Sequence, residues 1–327
     1  MNNNEHSFAP FVRTLGKGKT GSRSLTTEEA YSAMQMILEG AVEDVQLGAF
    51  LMLLRVKEET AEELTGFVRA VRDWIGAVRV SVDLDWSSYA GKRQQLPWFL
   101  LSALCLCSQG YRIFMHGTRG HTTGRMYTED VLHTLRWPIA SNWNEVQHAL
   151  RDSGFAFMPL QSLCAPLQRL INFRSQLGLR SPVHTLCRLL NPLRAECSLQ
   201  SVFHPSYAGI HQHAAQMLGH KNLAIIKGDG GECELRPQAD TDLYLLQDGT
   251  PQSGRWQRQL LDKPKASAMN MEQLVGVWRG SDSDSYAEQA TVGTLALAFS
   301  AINQQQDQNL CMQQARQCWE SRNIGLL

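Results

Sequence analysis

Residues 110–135 read GYRIFMHGTRGHTTGRMYTEDVLHTL. The apolar run at 111–115 follows a longer one at 96–107, the order expected when a helix leads into a buried strand. The ten residues at 116–125 then hold three glycines, three threonines and two arginines. Glu129 and Asp130 open a second helix around Val131, Leu132 and Leu135. A strand, a Gly-rich turn and a helix start make an anion site, because glycines let backbone N–H groups approach a ligand closely. Arg119 and Arg125 add fork-shaped donors suited to phosphate oxygens. The plain alternative is a surface turn rich in small residues.

Charge distribution favours the anion site. The 327 residues carry 31 basic and 31 acidic side chains, so net charge says nothing about partners. Residues 86–128, however, hold Lys92, Arg93, Arg112, Arg119 and Arg125 and no acid. Residues 153–195 hold Arg169, Arg174, Arg180, Arg188 and Arg194, again with no acid. At the chain's average frequency each stretch would hold about four acids. If the two share one face, a neutral protein carries a positive groove. The polar amino terminus and the short apolar runs predict a cytoplasmic protein with no membrane partner. Eight cysteines without a C-x-x-C pair predict buried free thiols.

Working outward, helices are expected at 8–15, after Thr26 or Thr27, after Asp44 and after Thr60. From residue 78 the pattern changes. Alternation at Val78, Val80, Val82 and Leu84 predicts a strand at 78–84, then a loop at 85–95 and a helix near Pro97. A helix at 143–150, a strand at 155–158, helical or irregular chain at 166–190, a strand-like 202–206, a helix at 207–218 and a strand at 222–226 continue the rhythm. Residues 251–267 look like a basic loop (Arg255, Arg258, Lys263, Lys265), and helices close the chain at 289–318. The expected fold is α/β: a small all-α helical domain at 1–76, joined by helices from about 160–190, and a larger α/β domain at 77–327 with a largely parallel central sheet.

The turn at 116–119 is not a P-loop, lacking the Gly-Lys-Ser/Thr ending, and no G-x-S-x-G favours a serine hydrolase. His211 and His213 fall on different faces of one helix, a poor metal pair. The acidic segment at 228–234 follows a buried strand and could hold a cation through its carboxylates, or be an acidic turn only.

These residues also carry a resemblance. Gly40, the run Gln46-Leu47-Gly48-Ala49-Phe50, Glu63-Leu64-Thr65-Gly66, Met115-His116-Gly117-Thr118-Arg119, Phe173-Arg174, Leu177-Gly178, Asn191-Pro192 and Lys227-Gly228 together resemble the anthranilate phosphoribosyltransferase and pyrimidine nucleoside phosphorylase fold family, over nearly the whole chain. The departures are informative. Where the family has a Gly-Thr-Gly-Gly-Asp diphosphate loop, the chain reads Tyr89-Ala90-Gly91-Lys92-Arg93. The motif Lys-His-Gly-Asn-Arg becomes Met115 to Arg119, Cys187-Arg188 replaces a Gly-Pro, and the magnesium-binding Asp-Glu pair aligns with Glu232-Cys233. The combination is similar to the divergent YbiB-type branch, which implies non-specific nucleic-acid binding by a homodimer.

Two functions follow as expectations. In the first, a nucleic-acid-binding protein on a transferase fold tracks single- or double-stranded nucleic acid with weak sequence preference. Its contacts would be Lys92, Arg93, His116, Gly117, Thr118, Arg119, Thr122, Thr123, Arg125, Arg174, Arg180 and Arg188, extended by Lys17 and Lys19. In the second, a phosphoribosyltransferase binds phosphoribosyl diphosphate at the 116–125 turn and Mg²⁺ through Glu232 or Glu234. Arg174 would hold an anionic aromatic acceptor, while the catalytic residues and the acceptor's identity stay unassigned. A homodimer is expected through the amino-terminal helices, on the apolar content of Leu47, Phe50, Leu51, Leu54, Phe67 and Trp74.

Overall fold

A computed structural model describes residues 5–119, 122–262 and 269–327. The first four helices, α1 (Ala9–Gly16), α2 (Thr27–Leu38), α3 (Asp44–Lys57) and α4 (Ala61–Ile75), form a bundle. Capping chemistry sets their starts. Thr26 with Glu29 and Thr60 with Glu63 make reciprocal capping boxes, a device worth about 1 kcal/mol at a helix start. Asp44 is not the cap of its helix but its first residue; Glu43 caps, reciprocated by Gln46. Gly66 lets α2 and α4 cross closely, since a Cβ there would stand 2.2 Å from the Thr27 carbonyl oxygen.

The larger domain runs β1 (Leu84–Ser88), α5 (Phe99–Ser108), β2 (Ile113–Gly117), α6 (Thr128–Thr134), α7 (Trp143–Ser153), β3 (Phe155–Pro159), α8 (Leu160–Leu163), α9 (Ala165–Asn172), α10 (Arg174–Leu177), α11 (Val183–Arg188), β4 (Cys197–Ser201), α12 (Tyr207–Met217) and β5 (Asn222–Ile226). A hairpin of β6 (Thr241–Gln247) and β7 (Thr250–Trp256) follows, then α13 (Met271–Arg279), α14 (Ser285–Ile302) and α15 (Gln308–Glu320). The sheet order is β3-β2-β1-β4-β5-β6-β7. The first five are parallel and the hairpin is antiparallel. The α/β expectation, with its helical amino-terminal domain and mostly parallel sheet, is thus what the chain adopts.

Both sheet faces are covered. Leu84, Trp86, Ile113, Met115, Leu199 and Ile226 pack in a cluster shared with α5, α14 and α15. The alternate residues Phe114, Ala156, Leu223 and Ile225 belong to the second cluster, continuous with Leu47, Phe50, Leu64 and Val68 of the bundle through Leu167, Leu170 and Leu186.

Three strand expectations need correction. The strand is not 78–84 but Leu84–Ser88, and the loop begins only after it. β1 is central and buried on both faces, so it shows no alternation, while Val78, Val80 and Val82 belong to the linker before it. β4 likewise precedes the apolar-looking 202–206. Residues 251–256 are strand, not loop: Asp248 and Gly249 adopt φ of 49° and 74° and close a two-residue hairpin. Arg255 there pairs with Asp240 and Asp242. Lys263 and Lys265 lie outside the described residues.

Candidate functional site

The chain winds outward from β1 to β2 and β3, then returns to place β4 on the other side of β1. That reversal opens a crevice at the carboxyl ends of β1 and β4, where open α/β sheets bind ligands. Four loops converge there: 89–93 after β1, the described parts of the turn after β2 (118–119 and 122–127), 202–206 after β4 and 227–234 after β5.

The loop after β1 is closed from inside. Glu232 Oε1 accepts hydrogen bonds from the backbone N–H of Ala90 (2.6 Å) and of Gly91 (2.5 Å). Arg125 Nη1 donates to the carbonyls of Ala90 (3.0 Å), Gly91 (2.8 Å) and Gly230 (2.9 Å). Lys92 exchanges both of its backbone hydrogen bonds with Met126. Glycine is required at 91, where φ is +69° and a Cβ would meet the Tyr127 ring at 3.0 Å.

Lys92 is fully buried, against the expectation that it contacts phosphate. Its ammonium donates to Glu234 Oε1 (2.5 Å) and to Asp229. Burial alone would lower its pKa; the two carboxylates more than reverse that, so it is raised. Glu234, also fully buried, is pushed up to about 7 by burial, with Asp229 adding and Lys92 opposing. One ammonium faces two carboxylates, and Glu234 is the member that takes up a proton as pH falls.

That arrangement answers the magnesium question. The carboxylates at 228–234 have a resident cation, the Lys92 ammonium, and Glu232 spends an oxygen on two N–H groups. No group of three or more metal-ligating side chains occurs among the described residues. The residues present do not fit Mg²⁺.

Two other expected contacts also lie inside. His116 is fully buried, with Nδ1 2.7 Å from the Tyr89 hydroxyl and Nε2 3.3 Å from buried Asp85. Thr118 Oγ1 donates to Gln168 (2.6 Å). Gly117 is a packing glycine, since a Cβ would stand 2.1 Å from the Ser88 carbonyl oxygen. His116 and Thr118 position the loop and do not face a ligand. Arg119 is exposed but turned back toward α6, near Glu129 (3.5 Å) and Asp130 (3.3 Å). Arg93 and Thr123 are exposed at the rim, as are Lys17 and Lys19 elsewhere on the surface. Gly120 and His121, within the same turn, lie outside the described residues.

The two acid-free stretches do meet. Thr122 Oγ1 accepts from Arg174 Nη1 and from Arg180 Nη2 (3.2 Å). Arg180 is lowered to about 10 by burial and by the nearby Arg174, Arg125 and Arg188. Arg188 is lowered by burial, with Glu232 opposing; its Nη1 donates to the His184 carbonyl at 2.7 Å. Four guanidinium groups that raise one another's energy form a site that gains from an anion. Arg180 and Arg188 also line a cavity of about 120 Å³ with Ser201, Phe203, His204, Tyr207 and His211. His211, buried and lowered to about 3 by burial and Arg188, is 3.1 Å from Gln200 and takes no part in a metal pair with His213. The sequence reading did not single out Phe203, which is 48% exposed. Its only sequence signal is its position, two residues past a central strand.

A helical bundle seated on a doubly wound sheet, with loops converging at the switch point, defines a transferase-type α/β fold. The chain belongs to the glycosyl transferase family, matching its helical bundle domain over 9–74 and its a/b domain over 98–321. Anthranilate phosphoribosyltransferase of Methylocella silvestris is 32% identical over 282 residues, covering 82% of this chain and 80% of that protein. The uncharacterized protein YbiB of Escherichia coli is 27% identical over 247 residues, covering 73% and 76%. Among solved structures, anthranilate phosphoribosyltransferase from Saccharomyces cerevisiae in complex with PRPP and Mg superposes with a TM-score of 0.80 at 18% identity, over 98% of this chain and 96% of that one. Among the described residues no helix is long and apolar enough to cross a membrane.

Proposed function

We propose that this chain uses a phosphoribosyltransferase fold to bind nucleic acid through its phosphate backbone, and does not transfer phosphoribose to anthranilate. One observation carries the reading: the loop N–H groups that would cradle a diphosphate are occupied by Glu232, while in the same loop cluster Arg174 and Arg180 meet at Thr122 and Arg180 and Arg188 line one cavity. A charge already neutralised inside the protein adds nothing to binding; a crowded set of guanidinium groups does. Among the described residues no recognition helix enters the site, so in this reading sequence preference is weak.

The test is a titration of labelled single-stranded DNA at two salt concentrations. Affinity falls with salt at a log–log slope of roughly −0.7 per phosphate contact. Binding insensitive to salt would overturn the reading. In parallel, anthranilate, PRPP and Mg²⁺ give no product above background; robust turnover restores the transferase, whose support is the family itself.

The protein acts as a homodimer in this reading, though of the apolar residues expected at the contact Trp74 alone is exposed. Leu47, Phe50, Leu51, Leu54 and Phe67 are all buried within the bundle. The apolar side chains left exposed on α3 and α4 are Val45, Val56 and Trp74. A monomer mass by light scattering at micromolar concentration would count against the dimer.

A further inference from the structure

We infer that Phe203 is a stacking platform for a base of single-stranded nucleic acid, so that the site holds unpaired strands more tightly than duplex. The inference rests on the nucleic-acid reading above and adds what that reading lacks, a contact to bases. Phe203 stands two residues past the end of the central strand β4, after buried Val202, yet it is 48% exposed, where most large apolar side chains of this domain are buried. It lines the cavity that Arg180 and Arg188 also line. One ring edge rests on the glycine turn, since a Cβ at Gly231 would come within 3.5 Å of Phe203 Cδ2. The carbonyl of the preceding Gly230 is held by Arg125 Nη1 at 2.9 Å. The His204 ring meets Phe203 edge-to-face, with centroids 4.9 Å apart. The ring is therefore braced on two sides and open to solvent, beside a positive crevice at the switch point.

Aromatic faces next to guanidinium groups are how proteins hold single strands: the cations track phosphates and the ring takes a base, with little regard to which base. Duplex DNA keeps its bases stacked on one another and offers the ring nothing, so its binding depends on the arginines alone.

Stacking and phosphate contact separate by salt. Fluorescence anisotropy with a labelled single-stranded oligonucleotide, an abasic oligonucleotide of equal length and the corresponding duplex reads both. In F203A, single-strand affinity falls on the order of tenfold while the log–log salt slope stays that of the parent. F203W keeps or improves the affinity, and the duplex and abasic strands bind parent and F203A alike. A melting curve for F203A matching the parent shows that the exposed ring was not needed for folding. If F203A binds the single strand like the parent, or if the abasic strand binds as tightly as the base-bearing one, the platform is wrong although nucleic-acid binding stands. If the parent binds no oligonucleotide at low salt, both readings fall together.

Discussion

Two charged regions lie within one loop cluster and behave in opposite ways. On the carboxylate side, Lys92 sits between Asp229 and Glu234, and Glu232 ties down the Ala90–Gly91 backbone. The Lys92 ammonium there has its counter-charges within the chain and is buried with Glu234, while Asp229 is partly exposed. On the arginine side, Arg174 and Arg180 share one threonine hydroxyl, Arg125 is spent on three carbonyls, and the guanidinium groups repel. The first region is structure; the second is the one to which the proposed function assigns an external anion. Arg125 belongs to both, so closing the loop also fixes one edge of the binding crevice.

The sharpest way to break this contrast is to remove the buried cation. Lys92→Ala leaves two carboxylates facing each other in the interior, and loss of one member of a buried ion pair typically costs about 3–5 kcal/mol. Urea denaturation of K92A should show that loss, and K92A/E234A together should recover part of it. A K92A protein as stable as the parent would place Lys92 outside the core.

Next in size is a pH effect that belongs to the same side. Glu234, raised to about 7 from 4.5, binds a proton in the folded state that the unfolded chain releases at lower pH. The stabilisation is therefore fully present below the unfolded value and is lost as pH rises through about 7. Of the neighbours, Lys92 stays charged throughout this window, and the Phe99 N–H donates to Oε2 at 2.9 Å in either state. Between pH 5 and pH 8 the contribution amounts to about 2–3 kcal/mol. The stability difference between the parent and E234Q should change by that much across the window; a constant difference would contradict the assignment.

Much of this was legible in the sequence, and the part that was not has a physical reason. Caps at Thr26 and Thr60 could be read because capping is local chemistry. The strand-turn-helix at β2 and the meeting of the two acid-free stretches followed from composition. β1 was misplaced because Asp85, Ser87 and Ser88 make a central strand look like a loop; their burial is decided by neighbours far away in the chain. The Asp248-Gly249 turn was a readable hairpin signal that the basic residues around it obscured. Lys92 was assigned to the groove because a lysine in a Gly-containing loop reads as exposed. Its partners, Asp229 and Glu234, are more than 130 residues away, and no local pattern announces them.

On the arginine side, R174A/R180A should flatten the salt slope of DNA binding by about one to two units. R180A alone should leave the melting temperature no lower than the parent's, because it relieves repulsion around Arg180. R119A, whose guanidinium turns back toward Glu129 and Asp130, should change the slope less. Equal effects from both variants would erase the distinction between the crowded cluster and the rim.

The smallest effect tests the hinge between the two regions. Glu232→Gln keeps an oxygen that can accept the Ala90 and Gly91 N–H groups, so the loop retains its geometry. What it loses is the negative charge beside Arg188, whose guanidinium Glu232 helps keep charged despite burial. The expected cost is about 1 kcal/mol, because charge-assisted hydrogen bonds become neutral ones. The freed positive charge then faces the crevice, so DNA binding to E232Q should tighten slightly and its salt slope steepen by less than one unit. Inorganic pyrophosphate should raise the melting temperature of E232Q more than that of the parent, since only the variant has lost its internal anion. If pyrophosphate stabilises both proteins equally, Glu232 does not stand in for a bound anion, and the closed loop needs another explanation.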